Sequence, residues 1–157
     1  MPVDPSVIGI ETDEATWKVE EGKVREFARA VGIDDPLCTD AAAARAAGFK
    51  GVVAPPTFAI TAGQWAPTWE SAARACGFEV TRLLHGEQRF ELHRPICAGD
   101  VLVGRKKIVD LFEKVGKRGG TMTFVTEAAT WRDAETGAPV VTTTTTLIET
   151  AKRVDKD

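Results

Sequence analysis

The chain has 157 residues, which is enough for one domain with a sizeable hydrophobic core. Its 20 lysines and arginines against 23 aspartates and glutamates give a net charge of −3, so nothing favours nucleic acid or an anionic membrane as a partner. No apolar run approaches the roughly 20 residues of a transmembrane helix, and residues 1–5 lack the basic and apolar regions of a signal peptide.

The first part of the chain predicts helices. Between Glu20 and Val31, apolar residues recur at offsets of three, four and seven, which indicates an amphipathic helix that ends before Gly32. Thr39 or Asp40 can cap a second, shorter helix over residues 41–47.

A third helix is predicted to open at Pro55-Pro56, because proline suits the first turn of a helix. The run Thr57–Trp65 is apolar or small on most sides, which is typical of a buried helix. Pro67 is predicted to interrupt it, and Trp69–Cys76 to add a further amphipathic turn or two.

The second half predicts strands, because apolar and polar residues alternate and β-branched residues are frequent. Four long antiparallel strands are expected over Val80–Arg94, Val101–Val115, Thr121–Trp131 and Val140–Glu149, with an early strand near Thr16–Val19. Simple alternation places His85 and His93 on one polar face together with Glu87. A sheet combined with one apolar helix is an α+β layout. We expect a single domain over residues 1–150 and a charged, disordered tail over 151–157.

The cysteines give no sign of a metal site. There are three, an odd number, and neither they nor the two histidines form a cluster with zinc-ligand spacing: Cys38, Cys76 and Cys97. We expect free thiols in a reduced cytoplasmic protein that uses no metal and no cofactor.

Two segments carry the clearest motif, residues 32–40 (GIDDPLCTD) and residues 49–57 (FKGVVAPPT). Together with LHGEQ at 84–88 and HRPICAGD at 93–100, they resemble the MaoC-like (R)-specific hydratases and dehydratases, over roughly residues 8 to 150. The segments look like the N-terminal MaoC-type group, which includes non-catalytic subunits of mycobacterial-type heterodimeric (3R)-hydroxyacyl-carrier-protein dehydratases. The resemblance implies a hot-dog fold, in which a curved antiparallel sheet wraps a long apolar helix. It also implies that two such domains join their sheets edge to edge and bind acyl thioesters.

The groups that perform the family's chemistry are absent on this alignment. The family has a catalytic Asp two residues before an Asn-Pro pair and a His two residues after that Pro. Here Ile33 stands at the Asp position and Cys38 at the His position. The family's Gly, whose backbone N–H stabilises the thioester oxyanion, falls on Pro56, and proline has no N–H.

These absences lead to the first hypothesis, a non-catalytic subunit that shapes the acyl tunnel. A partner hot-dog chain would supply the Asp, the His and the oxyanion amide, and the ligand would be an acyl thioester of coenzyme A or of a carrier protein. We expect the tunnel wall to be formed by residues at the start of the apolar helix: Pro56, Thr57, Phe58, Ile60 and Trp65.

Three alternatives remain open. One is a self-sufficient homodimeric hydratase that uses His85 with Glu87 or with the carboxylate of Asp34 or Asp35. The others are a hot-dog thioesterase, for which this helix offers no acidic residue, and an acyl-binding protein without catalysis. Three basic residues can also be considered as contacts for a phosphopantetheine phosphate: Lys50, Arg94 and Lys106.

Overall fold

The computed structural model describes residues 4–65, 72–116 and 120–151. Five α-helices occur in these ranges: α1 (Glu21–Ala30), α2 (Pro36–Thr39), α3 (Ala41–Ala46), α4 (Ala62–Trp65) and α5 (Ala72–Ala75). The strands are β1 (Ala15–Lys18), β2 (Leu83–Leu92), β3 (Val101–Gly104), β4 (Lys106–Val115), β5 (Thr121–Asp133) and β6 (Pro139–Glu149). Short 3₁₀ helices span Pro5–Val7, Phe58–Thr61 and Val80–Arg82. No helix within the described ranges is long and apolar enough to cross a membrane.

The first two predicted helices are confirmed. Helix α1 buries Val24 and Ala28 and is followed by Gly32, whose φ of 74° lies in the left-handed region. Helix α3 is capped by Asp40, whose side chain accepts a hydrogen bond from the Ala42 N–H at 2.8 Å, so Asp40 rather than Thr39 is the cap. The predicted interruption at Pro67 and the start of the turn at Trp69 lie outside the described residues.

The prediction that Pro55-Pro56 opens a helix is wrong. The Phe58 N–H donates to the Pro55 carbonyl at 2.9 Å, and Thr57 has φ −91° and ψ 0°, the third-residue conformation of a type I turn. Proline is favoured at the second position of such a turn for the same reason that it suits a helix start, its fixed φ. The sequence therefore signalled a turn, and helical structure begins only at Phe58.

The helical segment 58–65 is buried on one side only, which corrects the prediction of a fully buried helix. Phe58 and Ala62 are buried, but Ile60 and Trp65 are 45% and 44% exposed. The small side chains on this segment do not fill the space between it and the sheet.

All strand pairs are antiparallel, as predicted. The order is β1-β3-β5-β6-β2, and β4 pairs with the remaining length of β5. The predicted strand 101–115 is thus two strands, separated at Arg105. Residues 9–12 hydrogen-bond to β4 and cover its outer edge, whereas β2, which is ten residues long, pairs with β6 alone among the described strands.

Helical segment 58–65 packs against the face of the sheet that carries Val125, Trp131 and Val141, here called the inner face. Trp17 lies at the centre of the larger apolar cluster, with its ring centroid 5.6 Å from Phe58 and 5.4 Å from Trp131. Such aromatic pairs stabilise a core beyond the area that they bury. They fix the start of the helical segment against β1 and β5.

Candidate functional site

The three positions at which the family's catalytic groups are expected lie together in space. Ile33, Cys38 and Pro56 all line one cleft of about 500 Å³. The side chains that complete its walls are mostly apolar: Leu37, Val53, Ala54, Pro55, Leu92 and Ile96. The fold therefore brings the three aligned positions to one cleft, whose mostly apolar walls also include Asp35, His93 and Arg94.

Local hydrogen bonds build this cleft. At the end of α1, the Ile33 N–H donates a hydrogen bond to the Ala28 carbonyl at 2.8 Å. Asp35 then caps α2, because its side chain accepts a hydrogen bond from the Leu37 N–H at 2.8 Å. The Val53 N–H donates to the Leu37 carbonyl at 2.8 Å, which holds residues 52–56 against α2. Asp35 is thus engaged as a helix cap.

The Cys38 thiol has the properties of a packed side chain. Burial raises its pKa above the ordinary value, and the nearby Asp35 carboxylate raises it further. Because the thiolate is the reactive form, this environment opposes nucleophilic catalysis.

We expect iodoacetamide to modify Cys38 at least several-fold more slowly in the folded chain than in the same chain unfolded in urea, near neutral pH. Mass spectrometry of the alkylated peptides measures both rates. Equal rates in the two states would contradict a buried thiol with a raised pKa.

The resemblance places the oxyanion amide at residue 56. Pro56 has no N–H, and the Phe58 N–H is used by the Pro55 carbonyl. The Ile60 N–H is also used within the chain, because it donates to the Thr57 carbonyl at 3.1 Å.

The two histidines face different cavities. A β-bulge between His85 and Glu87 makes Gly86 the extra residue, so that His85 pairs with Leu147 and lies on the inner face with Gln88. A Cβ atom on Gly86 would lie 2.7 Å from the Ile148 side chain, so glycine suits the bulge. The expectation from simple alternation, that His85 shares a face with Glu87, is wrong for this reason.

His93 lies at the cleft instead, where its Nε2 is 3.0 Å from the Thr142 hydroxyl. It lines the same cleft as Asp35, whereas His85 lines a second cavity. The sequence favoured His85 over His93 because His85 precedes Gly86, where another backbone can approach closely. A one-residue bulge leaves no clear trace in an alternating pattern, so its effect on the facing of His85 was missed.

The second cavity, of about 240 Å³, lies between the helical segment 58–65 and the inner face. Of the predicted tunnel-wall residues, Ile60 lines this cavity and Pro56 lines the cleft. Phe58 is 1% exposed and packs in the aromatic cluster. Trp65 is partly exposed with the Lys23 ammonium 4.6 Å from its ring centre, and Thr57 is exposed.

Beside the cleft lies a buried carboxylate that the sequence did not single out. Asp100 is fully buried. Its carboxylate accepts hydrogen bonds from both terminal guanidinium nitrogens of Arg94, at 2.8 and 3.1 Å, and from the Cys97 N–H at 2.9 Å. Lys50 forms a further ion pair with the Asp100 carboxylate. Burial alone would raise the pKa of Asp100, but these hydrogen bonds outweigh it and lower that pKa below its ordinary value.

The basic residues considered as phosphate contacts are therefore already paired. Lys50 and Arg94 bind Asp100, and Lys106 lies 2.9 Å from the Glu127 carboxylate on the inner face. The sequence did contain a signal for the second pair, because Glu127 falls on the apolar side of the alternating strand 121–131.

The chain matches one protein-family model over most of its length. The family described as FAS1-like, dehydratase domain region, matches residues 6–143. The chain belongs to this family. The chain is also 40% identical over 149 residues to a UPF0336 protein of Clavibacter michiganensis subsp. michiganensis, covering 94% of this chain and 96% of that relative.

Solved structures support the family assignment and the fold. One is the C-terminally truncated HadBC (3R-hydroxyacyl-ACP dehydratase) complex of Mycobacterium tuberculosis, with TM-score 0.74, 27% identity, and coverage of 94% of this chain and 99% of that chain. A MaoC-like dehydratase gives TM-score 0.73 and 33% identity over 92% of this chain but only 42% of its own length. The predicted hot-dog fold and MaoC-like relationship are confirmed, and the similar structures include hydratases and dehydratases, some of them complexes of two chains.

Proposed function

We propose that this member of the FAS1-like dehydratase region family is the non-catalytic subunit of a heterodimeric (3R)-hydroxyacyl-thioester dehydratase. It would hold the acyl chain while a partner hot-dog chain performs the chemistry. The observation that carries the proposal is the mostly apolar cleft lined by Ile33, Cys38 and Pro56, which stand where the resemblance expects the acid, the base and the oxyanion donor.

The chemistry shows why this replacement matters. Elimination of water from a 3-hydroxyacyl thioester requires a base to take the proton from C2 and an acid to protonate the departing 3-hydroxyl. Negative charge develops on the thioester oxygen and needs a hydrogen-bond donor. An isoleucine, a thiol with a raised pKa and a proline supply none of these functions.

The sheet edge supports assembly with a second domain. The outer edge of β2 is a ten-residue row without a strand partner among the described residues, and Leu84 and Leu92 on it are each 41% exposed. A long open edge is a liability unless another chain pairs with it. The MaoC-like dehydratase of 33% identity leaves more than half of its length unmatched, which is room for a second domain of this size.

The test is turnover of (3R)-hydroxyacyl and trans-2-enoyl thioesters by the purified chain, alone and with a hot-dog chain that retains the Asp and His, taken from a neighbouring gene or from co-purification. We expect no turnover above the uncatalysed rate for the chain alone and turnover for the pair. Robust turnover by the pure chain would contradict the proposal.

The same assay addresses the alternatives. A self-sufficient hydratase needs a histidine and a carboxylate in one site, and His93 and Asp35 share the cleft within one chain, whereas His85 does not. If the pure chain is active, loss of activity in H93A or in H85A identifies the residue concerned. Release of free thiol from an acyl thioester would instead indicate a thioesterase.

A further inference from the structure

A polar row crosses the inner face of the sheet between two hydrophobic clusters. Gln88 on β2 pairs with Thr145 on β6, which pairs with Glu127 on β5, so the three side chains lie side by side. One hydrophobic cluster, with Trp131 and Val141, lies to one side of this row. Another lies to the other side and includes Val125. The row divides the inner face into two apolar regions.

The charged end of this row is a buried ion pair. The side chains of Lys106 and Glu127 are 17% and 8% exposed, and the Lys106 ammonium lies 2.9 Å from Glu127 Oε1. Glu127 Oε2 accepts a hydrogen bond from the Ala72 N–H at 2.7 Å. Burial lowers the pKa of Lys106, against the opposing effect of Glu127. Both carboxylate oxygens are engaged, so the pair is a fixed part of the wall.

This ion pair separates two cavities. The cavity beneath the helical segment 58–65 has a volume of about 240 Å³, and a second cavity, between residues 10–13 and α5, has a volume of about 250 Å³. Among the described residues, Lys106 and Glu127 are the two that line both. Lys106 and Glu127 are therefore the shared boundary of the two cavities.

We propose that the Lys106–Glu127 pair is the end wall of the acyl-binding cavity and sets the longest chain that this protein accepts. The inference rests on the proposed function and adds that the acyl chain occupies the cavity beneath segment 58–65. A methyl terminus that reaches the pair cannot displace it, because separating or further desolvating two buried charges costs more than one more methylene gains. The length limit follows from a buried charge pair in an apolar channel.

The test is the dissociation constant of straight-chain acyl-coenzyme A thioesters, from octanoyl to eicosanoyl, measured by isothermal titration calorimetry on the purified chain. We expect wild-type affinity to rise with chain length and then stop rising. In K106A/E127Q the rise should continue past that limit, by up to about fourfold for each added methylene. Glutamine at 127 retains an acceptor for the Ala72 N–H, and alanine at 106 removes the side chain that closes the channel.

The matched control is R105M/E14Q, which removes an exposed ion pair next to β4: Arg105 Nε lies 3.7 Å from Glu14, and both side chains are 54% exposed. This variant should keep the wild-type length profile. Should K106A/E127Q not fold by circular dichroism, K106M/E127Q takes its place. Methionine removes the charge and its flexible side chain can move aside for an acyl chain, so the length limit should again increase.

The outcomes separate the inference from the proposed function. The same length limit in wild type and in the charge-free variant would overturn the end wall but leave acyl binding standing. If neither the wild type nor the charge-free variant binds any thioester, that result would contradict the acyl-binding role and the end wall together.

Discussion

Replacement of Asp100 by alanine is expected to lower the free energy of unfolding by about 2–4 kcal/mol, because it leaves the buried Cys97 N–H and the half-buried Arg94 guanidinium without their charged acceptor. Asp100 is fully buried, and Arg94 binds both of its oxygens. Arg94 also donates to Asp133 at 3.0 Å, so the carboxylate ties the loop before β3 to the end of β5. Urea unfolding followed by tryptophan fluorescence measures the change.

The control for Asp100 is Glu14→Ala, which removes an exposed ion-pair partner of Arg105. An exposed pair contributes only about 0–1 kcal/mol, so this variant should stay close to wild type. A similar loss in both variants would contradict a special role for the buried carboxylate.

The contribution of Asp100 also depends on pH. Its pKa is lowered in the folded protein, so the charged form stabilises the fold above the ordinary carboxyl pKa of about 3.9, and this stabilisation is lost as the pH falls through the folded value. The difference in unfolding free energy between wild type and D100A should therefore be largest near neutral pH and shrink below about pH 4. A difference that is constant down to acid pH would mean that the charge of Asp100 is irrelevant.

Alternation and caps in the sequence were sufficient to predict most of the fold. Strand β5 alternates buried and partly exposed residues from Thr123 to Trp131, and α1 carries its apolar stripe. The errors arose where two conformations share one local signal. Proline at 56 fits a helix start and a type I turn equally well, and only the hydrogen bond from Phe58 to Pro55 distinguishes them.

The candidate site was predictable in part for the same reasons. Ile33, Cys38 and Pro56 were related by sequence alignment, and the fold brings all three to one cleft. The orientation of His85 was not predictable, because the bulge at Gly86 depends on contact with Ile148 on the neighbouring strand.

Two buried acidic residues, Asp100 and Glu127, are each neutralised by residues that are brought near them by the fold. The sequence predicts a turn at Asp100, and only the fold brings Arg94 and Lys50 into contact with its carboxylate. Glu127 interrupts an apolar face, which was a signal, but its partner Lys106 comes from another strand. A local sequence pattern can show that a charged residue lies on an apolar face, but it does not show which residue neutralises the charge.

Gly63→Phe is expected to weaken acyl-thioester binding by about 10²-fold without destabilising the chain. Gly63 lies in α4 and lines the cavity beneath segment 58–65. A Cβ atom there would meet no heavy atom within 4 Å beyond its own helix and chain neighbours, so a side chain can enter open space. A phenyl group that excludes roughly four methylenes removes about 0.8 kcal/mol of burial for each, which gives this factor.

The expected change in stability has the opposite sign to the change in binding. Glycine is among the poorest helix formers, so phenylalanine in α4 should raise the free energy of unfolding by a few tenths of a kcal/mol or leave it unchanged. The matched control is Gly22→Phe in α1, an exposed helical glycine with equally open space, which should leave binding intact. Calorimetry at the acyl length limit of the wild type, paired with urea unfolding, separates the two effects. Unchanged affinity in G63F would show that the acyl chain does not occupy this cavity, whereas weakened binding in both variants would point to a non-specific effect of the added ring.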